Sequence, residues 1–296
     1  MAQAVLASEL QVVEAATAVR RIQKLADYGL RYVDNTTEWQ SVWSQLARRS
    51  QLSLPEFVRK VQGESSTDSR PNKALNPSTY SFLLQGYPRC AFMMRIATEG
   101  LRVRWLQQRP NQTQRPRKHR STVMCGNRVA SRIAEGEAAG TYLVVDAELF
   151  DHWDVHVSPF GAVPKGDDVA AAIRLIHDLS HPFPECRNEF TAKSSLPPVQ
   201  YEHIAALVRR IDLLRARFPT VEILMLKGDV NGVFRHMRHH TNDVGWMCGK
   251  LPQLHAEVVD LSAPFGWPVS PAIYGIFGRV ISFLVGERAQ RAWQPT

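Results

Sequence analysis

The stretch that most restricts the fold is 221–235, V-E-I-L-M-L-K-G-D-V-N-G-V-F-R, where an apolar run stops at a single carboxylate. Val221, Ile223, Leu224, Met225 and Leu226 form a run too short for a useful helix and apolar enough for a buried strand. Gly228 stands beside Asp229 at the expected strand end, and a glycine there lets a second backbone or a ligand approach closely. An acid held at the mouth of a rigid sheet can bind a hard cation such as Mg²⁺. The same residues also describe a plain strand followed by a turn that Asp229 caps, so the run by itself leaves both readings open.

A buried strand needs partners, and the sequence offers both helical and β-like runs, which predicts an α+β fold with a helical N-terminal region. Residues 8–33 carry Val12, Ala15, Val19, Ile22, Ala26 and Leu30 at helical spacing behind Ser8, a capping residue. A second helix is predicted after Thr37, with Trp39, Trp43 and Leu46 on one face. Residues 62–77 are polar and contain Pro and Gly, the composition of a linker or surface loop. A helix is predicted over 127–137 and a short strand over 142–145. Alternation around Val155–Val163 and Ile173–Leu179 predicts a hairpin whose loop is 166–172, placing Lys165 near Arg174. Residues 197–219 predict a strong amphipathic helix with Arg209, Arg210, Arg215 and Arg217 opposite its apolar stripe.

Farther on, 230–240 predicts a helix bearing His236, His239 and His240. That spacing suits zinc, but no third ligand can be named. Residues 245–251 and 256–261 predict a β pair across Pro252–His255. Ser270 followed by Pro271 predicts an N-cap and first helical position, with the helix continuing through Leu284.

The net charge of +8 favours a polyanionic partner. Arg102, Arg104, Arg109, Arg115, Arg117, Lys118 and Arg120 crowd into 101–121, which has no Asp or Glu. The stretch reads either as a solvated basic loop or as a phosphate-contact segment, the latter helped by Trp105 and several amides. Cys90, Cys125, Cys186 and Cys248 are scattered, unlike a zinc pattern or a disulfide framework, and suit a reducing compartment. No secretory signal is read at the N-terminus, and the apolar stretch near Ile273–Val285 is interrupted by Gly275, Gly278 and Arg279. The expectation is an intracellular protein, cytoplasmic or nuclear, without a membrane span.

Three motifs in fixed order carry a resemblance. They are 158–167 (S-P-F-G-A-V-P-K-G-D) with 174–182 (R-L-I-H-D-L-S-H-P), 227–236 (K-G-D-V-N-G-V-F-R-H), and 263–274 (A-P-F-G-W-P-V-S-P-A-I-Y). Over roughly 76–286 the chain resembles the reverse transcriptase of DIRS-like, tyrosine-recombinase retrotransposons. The resemblance implies polymerase-like fingers and palm. Lys165 and Arg174 would contact the triphosphate of an incoming dNTP, and Phe234 would block a ribose 2′-hydroxyl. Phe265 and Gly266 would approach the nascent base pair. Asp229 would be the catalytic ligand of Mg²⁺ or Mn²⁺, and Arg102, Arg104, Arg115, Arg117, Lys118 and Arg120 would hold primer–template nucleic acid.

The further acids of a Y-x-D-D hairpin are not found in the sequence. The expectation is therefore an incompletely liganded metal and a partial palm, inactive alone, whose unpaired strand edge favours self-association. The expected division is 1–62 helical, 63–77 linker, 78–147 helical and basic, and 148–296 fingers and partial palm. The rival is a non-catalytic nucleic-acid-binding or assembly protein derived from a retroelement.

Overall fold

The computed structural model describes residues 36–292, apart from 113, 166–172, 197, 200–202, 226–227 and 229. The helix expected over 8–33 lies outside the described residues. The observed fold is α+β, with small antiparallel sheets among packed helices.

The central sheet has the order β1–β5–β4, with β1 at Tyr142–Asp146, β4 at Cys248–Leu251 and β5 at Ala256–Asp260. Tyr142 faces Asp260 and Cys248 faces Val259 in antiparallel register. Because successive strand side chains point to opposite faces, an apolar run such as Y-L-V-V can serve two cores at once. Leu143, Val145 and Val259 pack with Trp43, Phe57 and Val58, from α1 (Thr36–Ser50) and α2 (Leu54–Gln62). Tyr142, Val144 and Val258 pack on the other side with Val129 and Ile133, from α6 (Gly126–Ala138). Trp43 and Phe57 are fully buried, so truncating either to Ala costs about 3–5 kcal/mol.

A separate two-stranded hairpin, β2 (Phe160–Pro164) with β3 (Ile173–His177), lies beside the sheet as the alternation predicts. Ser158 N–H donates to the Cys248 carbonyl at 2.8 Å and ties the hairpin's base to β4. Helices α3 (Pro77–Leu83), α4 (Cys90–Glu99) and α9 (Val269–Ala292) meet around Leu84, Tyr87, Met93, Ile276 and Val280. The remaining helices are α5 (Arg120–Met124), α7 (Arg187–Phe190) and α8 (Ile204–Arg217).

Several expectations are corrected. The run 221–225 forms no strand: Val221 is 61 % exposed, Leu224 81 % and Met225 75 %. An apolar run becomes a strand only when a neighbour accepts its backbone hydrogen bonds, and no ladder includes 221–225. The unpaired palm edge expected there is therefore not formed. Helix α8 exists, yet none of its residues is buried, so its apolar stripe does not build the core. Residues 230–240 are not one helix but a 3₁₀ turn, Val233–His236, followed by extended backbone. His236 is exposed while His239 is buried, so they do not share a ligand face.

Helix α9 starts at Val269, and Ser270 is not its cap. The Ser270 hydroxyl instead donates to the Pro264 carbonyl at 2.7 Å, locking the preceding loop. Within 63–76, Asn72 Nδ2 donates to the His236 carbonyl at 2.8 Å, and Arg70 pairs locally with Asp68 at 2.8 Å. The pairing of β1 with β5 spans the expected boundary at 147/148, and α1 and α2 share that sheet's core.

Residues 269–286 are, by length and composition, apolar enough to cross a membrane, contrary to expectation. In the fold the same helix supplies Ile273, Ile276 and Val280 to two cores, and Tyr87 Oη donates to its Ile276 carbonyl at 3.0 Å.

Glu257, in the middle of β5, is fully buried between Arg115 and Lys250. Burial pushes its carboxyl up to about 7, with Arg115 and Lys250 opposing. The folded chain then holds a proton that the unfolded chain releases near 4.5, so stability falls as pH rises from about 4.5 to 7. Glu257→Gln is expected to flatten that fall, read as denaturant midpoints at pH 5 and pH 8. A steeper fall in the variant would mean that the ionised carboxylate is the stabilising form.

Candidate nucleotide-contact site

Three chain segments meet along the hairpin. In β2–β3, Val163 faces Arg174 and Pro164 faces Ile173, so Lys165 follows directly where the strands diverge. Lys165 and Arg174 are both exposed. The tip, 166–172, lies outside the described residues.

The second segment is the loop before α9. His177 N–H donates to the Phe265 carbonyl at 2.9 Å, laying the loop along the end of β3. Gly266 adopts φ +104°, and a Cβ added there would lie 2.1 Å from the His177 carbonyl oxygen. Only glycine permits that backbone geometry with so close an approach. Asn188 Nδ2 donates to the Gly266 carbonyl at 3.0 Å, so the loop is held on two sides. Phe265, 38 % exposed, receives the Arg174 guanidinium over its ring at 5.4 Å.

The third segment is the turn Val233–His236, entered through Gly232 in the left-handed region at φ +58°. Phe234 lies 4.8 Å from Phe265 between ring centroids, and 5.9 Å from Tyr274 of α9 in an edge-on contact. Arg235 anchors the turn, pairing with Asp260 at 2.6 Å while its guanidinium sits 4.4 Å over Tyr142. Arg174, Phe234, Phe265 and Gly266 thus converge from stretches about 90 residues apart end to end. Asp229 lies outside the described residues. Among those described, no group of three His, Cys, Asp or Glu side chains is arranged to hold a metal.

Beneath the loop sits a buried polar cluster that periodicity alone did not reveal. Asp260 is fully buried, accepts from Ser262 N–H at 3.2 Å and stands 3.7 Å from His177 Nδ1. Burial works to raise its carboxyl, but Arg235 and His177 outweigh that and hold it below the usual range. His177 Nε2 lies 3.1 Å from the Cys248 carbonyl, and burial lowers the imidazole despite Asp260. Arg187, also fully buried, donates to Ser158 Oγ and the His156 carbonyl, and burial brings its pKa down to about 9. The sequence signal available for Asp260 was its place at the end of an apolar strand, the same pattern that drew attention to Asp229.

The basic stretch divides. Arg115 is turned inward to Glu257 and, at 3.0 Å, to Asp151, and is not part of the exposed basic surface expected for it. Arg109 pairs with Asp154 and lies over Trp246. Arg102 and Arg104 are exposed on one extended segment, and Arg117, Lys118 and Arg120 are exposed beside β2. No protein-family model and no curated protein matches the chain.

Proposed function

We propose that this chain is a reverse transcriptase-like domain that binds a deoxynucleoside triphosphate beside β3 of the hairpin, with primer–template nucleic acid along its exposed basic residues. The observation that carries this reading is the convergence of Arg174, Phe234, Phe265 and Gly266. A guanidinium on an aromatic face, with a second cation two residues past its cross-strand partner Val163, suits a polyphosphate: the arginine contacts oxygens as a fork and Lys165 acts as a point charge. Phe234 offers a rigid wall edged by Tyr274, the kind of surface that excludes an added hydroxyl by shape. Asp229, five residues before Phe234, supplies a carboxylate for Mg²⁺ or Mn²⁺, which when bound neutralises phosphate charge and activates a 3′-hydroxyl. An intracellular setting accompanies this reading.

The test is dNTP binding in the presence of primer–template. Template-matched dNTP is expected to tighten the complex, and Arg174→Ala to weaken dNTP binding about tenfold, roughly 1.4 kcal/mol. Phe234→Ala is expected to narrow the preference for dNTP over NTP. Asp229→Asn removes any Mg²⁺-dependent incorporation; incorporation retained in that variant refutes the metal assignment. Salt-sensitive primer–template binding that no dNTP strengthens would favour the rival reading, a non-catalytic nucleic-acid-binding protein.

A further inference from the structure

We propose that α8 presents a docking face for one acidic amphipathic helix of a partner protein. The inference rests neither on the nucleotide site nor on the basic stretch 101–121.

Helix α8, Ile204–Arg217, has no buried residue, and among the described residues no other helix or strand packs closely along it. A helix of this length that buries nothing is marginal in water, because most helical stability in a folded protein comes from packing an apolar face. The sequence supplies such a face. Ile204, Leu207, Ile211, Leu214 and Phe218 recur at alternating spacings of three and four, the a and d positions of a heptad. At 3.6 residues per turn they fall within an arc of roughly 80°. Ile204 is 69 % exposed and Leu207 54 %, while Ile211, Leu214 and Phe218 are half-buried. A seam this narrow suits another helix better than a bilayer, whose surface takes a broader apolar face.

Charge decides which helix can lie there. In the same register Arg210 and Arg217 fall at g and Arg215 at e, the positions that border the seam and meet their counterparts on a paired helix. Arg217 shows the flanking geometry, with its guanidinium 5.4 Å over the Phe218 ring. Arg210 and Arg215 are exposed. The one acid of α8, Asp212, falls at b, away from the seam. Two copies of α8, parallel or antiparallel, would set arginine against arginine, so self-pairing is disfavoured. A partner helix with the same apolar spacing and Glu or Asp at e and g covers the seam and meets all three arginines with opposite charge.

The probe is a fluorescently labelled three-heptad peptide with Ile at a, Leu at d and Glu at e and g. It is compared with its counterpart carrying Lys at e and g, and with a scrambled peptide of the same composition. The Glu peptide is expected to bind at least about tenfold more tightly than either and to slow amide exchange over 204–217. Ile204→Ser with Leu207→Ser is expected to weaken its binding at least about tenfold. Both side chains are exposed, so the variant's melting curve should match the parent. Leu213→Ser alters a leucine that is 65 % exposed at c, off the seam, and should keep the affinity. Arg210→Glu with Arg217→Glu should turn the preference toward the Lys peptide. The proposal is overturned if the Glu peptide does not bind, or if the scrambled peptide binds equally. It is overturned if Leu213→Ser costs as much as the seam variant, or if the charge exchange leaves the preference unchanged. Other occupants give their own readings, each of which overturns it. Dimerisation lost in the seam variant means a second copy, and phosphatidylserine-vesicle binding lost in it means a lipid surface. Arg174→Ala should leave peptide binding unchanged, so failure at the dNTP site and failure at α8 are read separately.

Discussion

Gly266→Ala is expected to destabilise the protein by at least about 3 kcal/mol, lowering its melting temperature by about 6 °C or more. The new Cβ would lie 2.1 Å from the His177 carbonyl oxygen, which is β3 backbone and cannot swing aside as a side chain would. The backbone at φ +104° also disfavours any L side chain. Relief requires the loop to lift from β3, which breaks the bond from His177 N–H to the Phe265 carbonyl and strains that from Asn188 to the Gly266 carbonyl. Lifting the loop also carries Phe265 away from Arg174, so the proposed dNTP binding should weaken together with stability. Gly275→Ala is the control: nothing lies within 4 Å of a Cβ there, and alanine suits a helix interior better than glycine, so a neutral or slightly raised melting temperature is expected. Equal melting of Gly266→Ala and the parent would show that this loop does not press on β3.

These contacts also mark where sequence reading reached and where it stopped. The pair β4–β5 was legible because two apolar runs flank a turn of Pro and His, and β1 because four apolar residues stand together. The hairpin was legible from alternation. Helix α2 was missed although its signal is present: Ser53 followed three residues later by Glu56, whose carboxylate accepts from the Ser53 N–H at 3.0 Å. The run 221–225 was over-read, because apolar character reports what a segment could bury and not whether a neighbouring strand exists to receive it. Ser270 failed as a cap because its hydroxyl had a nearer use, at the Pro264 carbonyl. The meeting of Arg174, Phe234 and Phe265 came into view through resemblance among motifs, since no periodicity links them. The partners of Asp260 are legible by neither route: a buried ion pair joins residues 25 apart in sequence, and which arginine finds which acid is decided by packing.

That pair gives the second large effect. Asp260→Ala is expected to cost about 3–5 kcal/mol, because it strands Arg235 in a half-buried site and deprives Ser262 N–H and His177 of their carboxylate. Asp260→Asn keeps an acceptor for Arg235 and should cost less. Arg235→Ala alone should also be costly, since it leaves a fully buried carboxylate without its paired guanidinium. The double variant should then fall short of the summed single losses by about 1–3 kcal/mol in denaturant unfolding, as expected for groups in contact. Simple additivity would mean that the two side chains do not act as a pair. The pH dependence has a definite sign: a carboxyl held below its ordinary 3.8 contributes fully above that value and loses its contribution as pH falls through the lower, folded one. Between pH 6 and 8 the cost of Asp260→Asn should therefore stay level, unlike the slope assigned to Glu257. The functional consequence follows from position. Arg235 is the residue after Phe234, and His177 is the residue whose carbonyl Gly266 approaches, so the buried pair supports both halves of the cluster proposed to contact the nucleotide. Asp260→Asn should accordingly weaken dNTP binding even where the protein remains folded. A folded variant with unchanged dNTP affinity would confine Asp260 to stability alone.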